Sequence, residues 1–313
     1  MVDSSLNKTY KVGNSTYIYI EMLGKGTYGT VVRAKNILTN EEVAIKKVKL
    51  DVEGEGIPAT CLREISILKH FKHINVVELL KIDHNDKKVL LYLEYVKYDL
   101  KKFWDIEFKG KTVSLDFVKT VMFQILKGME FLHSKKILHR DLKPQNVLID
   151  SDLKVKIADF GLSRTYSIPI RPYTKEVLTL WYRAPELILG TEYYSTGIDM
   201  WSIGCIFAEL FLKKPLFQGD SEINQIYYIF RVLSSPNEES LPGYKTFPHY
   251  NVNFPYYEVG TGLAKALEGT VANEDAINLM TSMLLLNPAK RISCKEALKH
   301  PFFKGVHDPF SKN

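Results

Sequence analysis

His139-Arg140-Asp141-Leu142-Lys143-Pro144-Gln145-Asn146 is the stretch from which the rest of this sequence can be interpreted. The carboxylate of Asp141 can accept a proton from a hydroxyl group and orient that hydroxyl for attack. Asn146, later in the same stretch, offers an amide oxygen, which is the kind of hard ligand that Mg²⁺ binds. The stretch therefore predicts a proton acceptor and a metal ligand in one loop.

Two shorter motifs follow this loop along the chain. Asp159-Phe160-Gly161 supplies a second oxygen ligand, Asp159, for a metal ion that bridges phosphate groups. Ala184-Pro185-Glu186 closes the segment that begins at Asp159. Taken singly, each of these motifs could occur by chance.

A glycine-rich segment lies near the N-terminus: Gly24-Lys25-Gly26-Thr27-Tyr28-Gly29-Thr30-Val31. Strand-like sequence flanks it on both sides and no helix is predicted after Gly29, which argues against a dinucleotide-binding turn of the same spacing. Glycines in such a loop let backbone amides approach the phosphates of a nucleotide. An ordinary glycine-containing hairpin is the alternative interpretation.

Val43-Ala44-Ile45-Lys46 falls where a third strand is predicted. Lys46 would then point toward the α- and β-phosphates. Glu64, on the helix that follows, would hold the ammonium in place, and the pair could form or break as the helix moves. The alternative is that Lys46 is a solvated edge residue, as a single strand lysine usually is.

The hydrophobic pattern predicts an α+β fold in two parts. Residues 17–95 are predicted to form an antiparallel sheet with one helix at 58–71 and with later strands at 76–80 and 89–95. After a junction near residues 94–99, helices are predicted at 117–133, 193–212, 221–233, 274–285 and 294–299, with short strands at 146–149 and 155–157. Residues 1–16 are predicted to be a flexible lead, and residues 304–313 a tail.

Composition narrows the class of protein. The 313 residues are 45% hydrophobic, which is enough for a sizeable core. The net charge of +6 is spread along the chain and predicts no nucleic-acid arm. Because the cysteines are far apart and the N-terminus lacks the apolar run of a signal peptide, we expect an intracellular protein that binds neither nucleic acid nor membrane.

The five motifs occur in a fixed order, and with them the sequence resembles the protein kinase superfamily over residues 17–303. The resemblance implies a two-lobed fold, with an N-terminal lobe at 17–95 and a larger, mainly helical lobe at 96–303. It also implies ATP and Mg²⁺ as cofactors, and transfer of the γ-phosphoryl group to a hydroxyl of a protein substrate.

The resemblance also assigns roles to individual residues. The catalytic residues would be Asp141, Lys143, Lys46 and Glu64, and the metal ligands Asn146 and Asp159. Lys143 matches the serine/threonine branch, in which it contacts the γ-phosphate. Leu93 would be the gatekeeper, Asp199 would brace the catalytic loop, and Glu186 would pair with Arg291. The nucleotide would lie against Leu23, Gly24, Lys25, Gly26, Thr27, Tyr28, Gly29, Val31, Ala44, Lys46, Glu94, Val96, Asp99 and Leu148.

Segments 56–64, 173–186 and 219–225 narrow the resemblance to cyclin-dependent kinases. A cyclin would press on Leu62 and bring Glu64 to Lys46, whereas in the free chain the helix would be displaced and the pair broken. Segment 56–64 is not the strict form of the central cell-cycle members, and residues 235–262 depart from their pattern. These departures leave open which cyclin binds and whether small accessory subunits bind.

Phosphorylation would regulate the activity in addition to the cyclin. Phosphate carries a charge of about −1.5 to −2 and three acceptor oxygens, so phosphate placed on Thr174 by an activating kinase could order a loop. Three arginines would bind this phosphate group: Arg63, Arg140 and Arg164. Three solvated arginines are the alternative. Phosphate on Thr27 or Tyr28 would inhibit by repelling the phosphates of ATP.

The resemblance finally implies a substrate class and a location. Val177-Leu178 resembles a pocket for proline, so we expect protein substrates with Ser/Thr-Pro-x-Lys/Arg sites. Nuclear and cytoplasmic residence and a role in cell-cycle or transcription control follow from the family. The alternatives are a related kinase with no cyclin or another activator, a pseudokinase scaffold, and a kinase acting on small molecules.

Overall fold

The computed structural model describes residues 9–26, 29–49, 57–85, 88–165, 180–192 and 194–310. The chain divides into two compact units, Met1–Lys97 with Ala158–Leu162 and Tyr98–Ile157 with Ser163–Asn313. Among the described residues, the first unit contains an antiparallel sheet and one helix, and the second unit is mainly helical. The predicted α+β fold class is therefore confirmed.

The strands of the first unit are β1 (Thr9–Val12), β2 (Ser15–Gly26), β3 (Gly29–Asn36), β4 (Glu42–Lys49), β5 (Leu79–Asn85) and β6 (Lys88–Glu94). They form one sheet in the order β1-β2-β3-β4-β6-β5, and every neighbouring pair is antiparallel. The strand predicted at 76–80 is wrong in position, because β5 begins only at Leu79 and Val76 and Val77 are buried before it. An apolar run alone cannot show whether its backbone pairs with a strand.

Side-chain alternation gives this sheet two different faces. One face is a hydrophobic core that includes Val32, Ala34, Val43, Ile45, Leu90 and Tyr92. Residues directly opposite each other on antiparallel strands share a face, and Val31 lies opposite Lys46 while Ala44 lies opposite Leu93. These four residues therefore share the other face, away from the core cluster.

The flexible lead predicted for residues 1–16 is wrong for residues 9–16. There, β1 pairs with the start of β2, and Tyr10 lies opposite Tyr17. Both tyrosines join the core cluster of the sheet, and the ring of Tyr17 lies 5.2 Å from that of Tyr92. The hairpin is stabilised because these aromatic rings cover apolar surface of the sheet. The polar composition of the segment gave no indication of this packing.

The helix of the first unit, α1 (Ala59–His70), begins directly after Pro58, whose fixed φ suits a helix start. Cys61 and Glu64 are buried, whereas Leu62 is 49% exposed. The helix therefore presents a carboxylate to the interior of the first unit and an apolar side chain to solvent.

The helices of the second unit are α2 (Leu100–Glu107), α3 (Leu115–Ser134), α4 (Pro185–Ile188), α5 (Gly197–Leu212), α6 (Glu222–Leu233), α7 (Leu263–Ala266), α8 (Glu274–Met283) and α9 (Cys294–Ala297). Its strands are β7 (Tyr98–Asp99), β8 (Ile137–Leu138), β9 (Val147–Ile149), β10 (Val155–Ile157) and β11 (Arg164–Thr165). β7, β9 and β10 form one small antiparallel sheet, and β8 pairs with β11.

α5 is the central helix of the second unit, because every residue except its last is buried. A helix that is apolar on all sides belongs in a core, which explains the continuous hydrophobic run in this part of the sequence. The helix begins at Gly197 rather than at the predicted residue 193. A Cβ at Gly197 would lie 2.8 Å from the carbonyl oxygen of Pro288, so close packing at this end requires glycine.

α2 was not predicted from the sequence. It is short, and the side chain of Asp99 caps it by accepting a hydrogen bond of 2.8 Å from the amide of Lys102. Within the described ranges, no helix combines the length and the apolar character needed to cross a membrane.

Candidate active site

The first unit contains a buried ammonium held between two carboxylates. Nζ of Lys46, on β4, donates to Oε2 of Glu64 at 2.7 Å and to Oδ1 of Asp159 at 3.0 Å. Burial alone would lower the pKa of Lys46, but the two carboxylates outweigh burial and raise that pKa above its usual value. Lys46 is therefore a permanent cation at physiological pH, aligned by Glu64.

The Lys46–Glu64 pair is formed in this structure. The structure therefore shows α1 in the position that pairs Glu64 with Lys46, and the prediction that the pair breaks in the absence of a partner stays a prediction. The side chain of Glu64 is 2% exposed and contacts the ammonium of Lys46. In this position of α1 the buried carboxylate therefore has a counter-charge.

The predicted nucleotide residues of the first unit lie on neighbouring strands. Gly24 lies opposite Val31 and Val31 opposite Lys46, so the glycine segment is continuous with the lysine strand. Lys25 and Gly26 continue β2 to its end, and Leu23 is partly buried. Thr27 and Tyr28 lie outside the described residues.

Gly29 meets a strict steric requirement. Its φ is +150°, and a Cβ there would lie 1.9 Å from the carbonyl oxygen of Lys47. No side chain fits at that distance, so β3 can lie this close to β4 only with glycine at its first residue.

The segment after β6 contains the predicted adenine contacts Glu94 and Val96. The amide of Glu94 donates to the carbonyl of Glu78 at 3.0 Å, and its side chain accepts from the amide of Glu78 at 2.8 Å. The amide of Glu94 is therefore already used within the first unit. Leu93, the predicted gatekeeper, is 8% exposed and lies opposite Ala44.

The second unit holds the catalytic loop. Nζ of Lys143 donates to Oδ2 of Asp141 at 2.7 Å. Nδ2 of Asn146 donates to the same oxygen at 3.0 Å and to the carbonyl of Asp141 at 2.7 Å. The Asp141 carboxylate is thus held by two donors, in an orientation from which it can accept a proton.

Asn146 and Asp159 are the predicted metal ligands. Asn146 uses its amide nitrogen on Asp141, so its amide oxygen is directed elsewhere. Asp159 offers a half-exposed carboxylate and has a φ of +64°. Both are hard oxygen donors, which fits Mg²⁺. Among the described residues, no three His, Cys, Asp or Glu side chains form a cluster for a metal ion.

Asp199 braces the catalytic loop, as the sequence predicted. Its carboxylate accepts from the backbone amides of His139 at 3.0 Å and Arg140 at 2.9 Å, and from Nε2 of His133 at 2.9 Å. Burial would raise the pKa of Asp199, but these donors outweigh it and hold the pKa below its usual value. Arg140 has a φ of +72°, so the loop depends on this support.

Glu186 and Arg291 form the predicted ion pair, with two parallel hydrogen bonds of 2.7 Å. Arg291 also donates to the carbonyls of Leu285, Gly197 and Leu286. All five guanidinium donors therefore have acceptors, and the pair ties α4 to the start of α5.

Three regulatory arginines were predicted around Thr174. Arg140 lies 5.4 Å from the ring centroid of Tyr194, and Arg164 also interacts electrostatically with this tyrosine. Arg63 lies on α1 in the first unit, and Thr174 lies outside the described residues, as does Val177-Leu178. The structure thus places two of the three arginines near one another.

The last two predicted nucleotide residues belong to the second unit. Leu148 lies on β9 opposite Asp99 on β7. The carboxylate of Asp99, predicted to meet ribose, caps α2 in this structure.

Sequence reasoning missed a buried pair next to the catalytic motifs. The hydroxyl of Tyr182 donates to Oε2 of Glu209 at 2.6 Å. Burial raises the pKa of Glu209, and the Tyr182 bond partly offsets that effect. A glutamate inside the apolar run of α5 was the signal that could have indicated a buried partner.

Replacing Lys46 with methionine should lower phosphate transfer by about 10²–10³-fold, because a fixed charge on the nucleotide phosphates is lost. Lys46→Arg keeps a cation beside Glu64 and should retain more stability than Lys46→Met, but it changes the donor geometry and should also lose activity. The measurement is the initial rate with labelled ATP, under conditions in which the unaltered protein is active. Lys69→Met, exposed on α1, is the matched control. A Lys46→Met rate within twofold of the control would contradict this role.

The motifs, their order and the geometry of both units point to one family. A model of the family described as "Protein kinase domain" matches residues 17–303. This match covers the sheet from β2 onward and the second unit as far as its last short turn at Pro301–Phe303. The protein kinase fold is two-lobed, which accounts for an N-terminal sheet with one helix followed by a mainly helical unit. The chain therefore belongs to the protein kinase family and is a phosphotransferase that uses ATP.

Proposed function

We propose that this chain is a serine/threonine kinase of the cyclin-dependent type, which phosphorylates Ser or Thr followed by Pro. The observation that supports it most directly is the contact of 2.7 Å between Lys143 and Asp141. A lysine two residues after the catalytic aspartate is typical of the serine/threonine branch of the resemblance. It would place a second positive charge where the γ-phosphoryl group is transferred.

In this proposal each residue has a separate task. Asp141 orients the substrate hydroxyl and accepts its proton, and Lys143 stabilises the charge of the transferred group. Lys46, aligned by Glu64, binds the α- and β-phosphates. Mg²⁺, held by Asn146 and Asp159, would supply charge neutralisation at the β- and γ-phosphates.

A cyclin is the proposed activating partner. Leu62 is 49% exposed on α1, while Glu64, two residues later, is buried beside Lys46. A partner that covers Leu62 would gain apolar burial and would hold the helix that carries Glu64. The partner thereby acts on the catalytic lysine without touching it.

The remaining regulation and the setting are also part of the proposal. An activating kinase phosphorylates Thr174, and phosphate on Thr27 or Tyr28 inhibits. The substrates carry Ser/Thr-Pro-x-Lys/Arg, and the enzyme works in the nucleus and cytoplasm in cell-cycle or transcription control.

One observation favours a second candidate, a related kinase that needs no cyclin. The Lys46–Glu64 pair, which a cyclin would be expected to form, has a short contact of 2.7 Å between two largely buried side chains of the first unit. In such an enzyme the activator could be absent or of another kind. Activity without any partner would support this candidate.

The test is phosphate transfer to a Ser-Pro-x-Lys peptide by the purified chain, alone and with a panel of cyclins. Activity that requires a cyclin supports the proposal, and activity without one supports the second candidate. A matched Ser-Ala-x-Lys peptide phosphorylated equally well would reject the preference for proline. An equal rate on a tyrosine peptide would reject the serine/threonine assignment.

A surface variant tests the cyclin contact itself. Leu62→Glu should reduce stimulation by the cyclin at least tenfold, because a charge replaces a buried apolar contact (about 2 kcal/mol). Leu80→Glu, which changes a leucine of similar exposure (45%) on β5, is the control. Equal stimulation of both variants would place the partner elsewhere.

A further inference from the structure

A charged cluster around Arg33 lies on the face of the first unit's sheet that carries Lys46. Arg33 lies directly opposite Ala44, and Ala44 lies opposite Leu93, so these residues share one face. This is the face of the predicted nucleotide residues, not that of the core cluster. None of the sequence motifs includes Arg33, so its position there was not predicted.

Two glutamates hold the guanidinium of Arg33. Glu42, the first residue of β4, accepts from Nε at 3.0 Å through Oε2 and from Nη2 at 2.7 Å through Oε1. Glu21, directly opposite Arg33 on β2, accepts from Nη1 at 2.9 Å. All three nitrogens therefore have an acceptor. Because the guanidinium is planar, these contacts fix the orientation of its plane.

The guanidinium also lies against the ring of Tyr95. Its Cζ is 4.7 Å from the ring centroid, which is the distance of a cation–π contact. Tyr95 comes one residue after the last pair of β4 and β6, which is Val43 with Glu94. The ladder between these two strands therefore ends before Tyr95, and the contact with Arg33 connects this residue to β3.

Tyr95 lies between Glu94 and Val96, the two residues predicted to bind adenine through their backbone. Glu94 is held by Glu78, whose carbonyl accepts from its amide at 3.0 Å and whose amide donates to its carboxylate at 2.8 Å. Arg33 holds the next residue from another strand. Hydrogen bonds weaken steeply when their geometry is lost, so backbone groups that bind a ligand must be held in place.

We propose that Arg33 is a positioning residue for ATP. Its guanidinium, oriented by Glu21 and Glu42, holds the ring of Tyr95 and thereby the backbone of residues 94–96, against which adenine binds. Arg33 acts through Tyr95 and takes no part in phosphate transfer. The proposal rests on the predicted adenine contacts, whereas the serine/threonine and cyclin assignments do not enter it.

Five variants of the full chain separate this role from a general effect on the sheet. Arg33→Met removes the charge and the donors, Tyr95→Leu removes the ring, and a double variant combines the two changes. Tyr95→Phe is the conservative variant, because it keeps the ring. Lys35→Met is the matched control, since it removes a cation from the same strand two residues later. Thermal unfolding without nucleotide shows whether each variant is folded.

The first readout is the affinity for ATP with Mg²⁺, measured by calorimetry. Arg33→Met and Tyr95→Leu should each weaken binding about fivefold, and Tyr95→Phe and Lys35→Met should stay within about twofold of the unaltered protein. The double variant should also lose about fivefold rather than about twenty-fivefold, because both changes remove one contact. Equal affinity of Arg33→Met and Lys35→Met would overturn the proposal, as would losses that multiply in the double variant.

The second readout is the initial rate of phosphate transfer at varied ATP concentration. In Arg33→Met the KM for ATP should rise about fivefold while kcat stays within about twofold, because the catalytic loop is unchanged. A loss of folded protein would instead lower the apparent kcat. A fall in kcat with an unchanged KM would therefore overturn the proposal. A silent peptide assay beside the expected changes in ATP affinity would count against the proposed peptide substrate alone. Absence of ATP binding by the unaltered protein would overturn the adenine contacts and this proposal together.

Discussion

Asp141→Asn is expected to lower phosphate transfer by about 10³-fold or more while the protein remains folded. The asparagine can still accept hydrogen bonds from Lys143 and Asn146, which lie 2.7 Å and 3.0 Å from the carboxylate oxygen. It cannot accept a proton from the substrate hydroxyl, and it removes the negative charge that orients that hydroxyl. The loss should therefore appear in kcat, and the affinity for ATP should change little.

The measurements for Asp141→Asn are the initial rate of phosphate transfer and, separately, nucleotide binding by calorimetry. Asp152→Asn is the matched control, because Asp152 is an aspartate with a side chain 73% exposed in the turn between β9 and β10. This control should keep the full rate. A rate for Asp141→Asn above one tenth of that of the control would remove Asp141 from the role of catalytic base.

Arg291→Met should lower the free energy of unfolding by about 3–5 kcal/mol, the cost of breaking a buried ion pair. The side chain of Arg291 is 0% exposed and that of Glu186 is 2% exposed, so methionine would leave a carboxylate without its counter-charge. The carbonyls of Leu285, Gly197 and Leu286 would also lose their donor. Arg291→Lys should be destabilising too, because one ammonium cannot replace a planar fork with five donors.

Denaturant unfolding of the whole chain measures this effect. Arg291→Met combined with Glu186→Gln should recover part of the loss, since the double variant no longer buries an unpaired charge. Lys72→Met breaks an exposed pair with Glu78, where the side chains are 70% and 42% exposed, and should cost less than about 1 kcal/mol. A cost for Arg291→Met as small as that of Lys72→Met would show that the buried pair does not hold α4 to α5.

Prediction from sequence succeeded for elements and contacts that a single local sequence pattern indicates. α3 was predicted at 117–133 because its apolar residues repeat with helical spacing, and it is observed at Leu115–Ser134. The strand at Val155–Ile157 was predicted with its observed bounds. The pairing of Lys46 with Glu64 was expected from the resemblance carried by the motifs, and the two side chains are in contact at 2.7 Å.

Prediction failed where distant parts of the chain supply the stabilising contacts. Residues 9–16 are polar in composition, and only the packing of Tyr10 and Tyr17 against Ala34, Ile45 and Tyr92 makes them strands. Whether such a segment forms a strand depends on burial, which is a property of neighbours in space.

The sequence by itself determined the chemistry of this protein. A glycine segment, Lys46, Asp141, Asn146 and Asp159 occur in the order and with the residue types that phosphate transfer requires, and this is a property of the chain alone. The tertiary structure decided which groups are held in place and by what. In the folded chain the carboxylate of Asp199 accepts hydrogen bonds from the amides of His139 and Arg140. Sγ of Cys294 likewise contacts the ring of His133, although these residues are far apart in the chain. Such contacts form only when helices pack, because burial removes the competing water and leaves each polar group dependent on a specific partner.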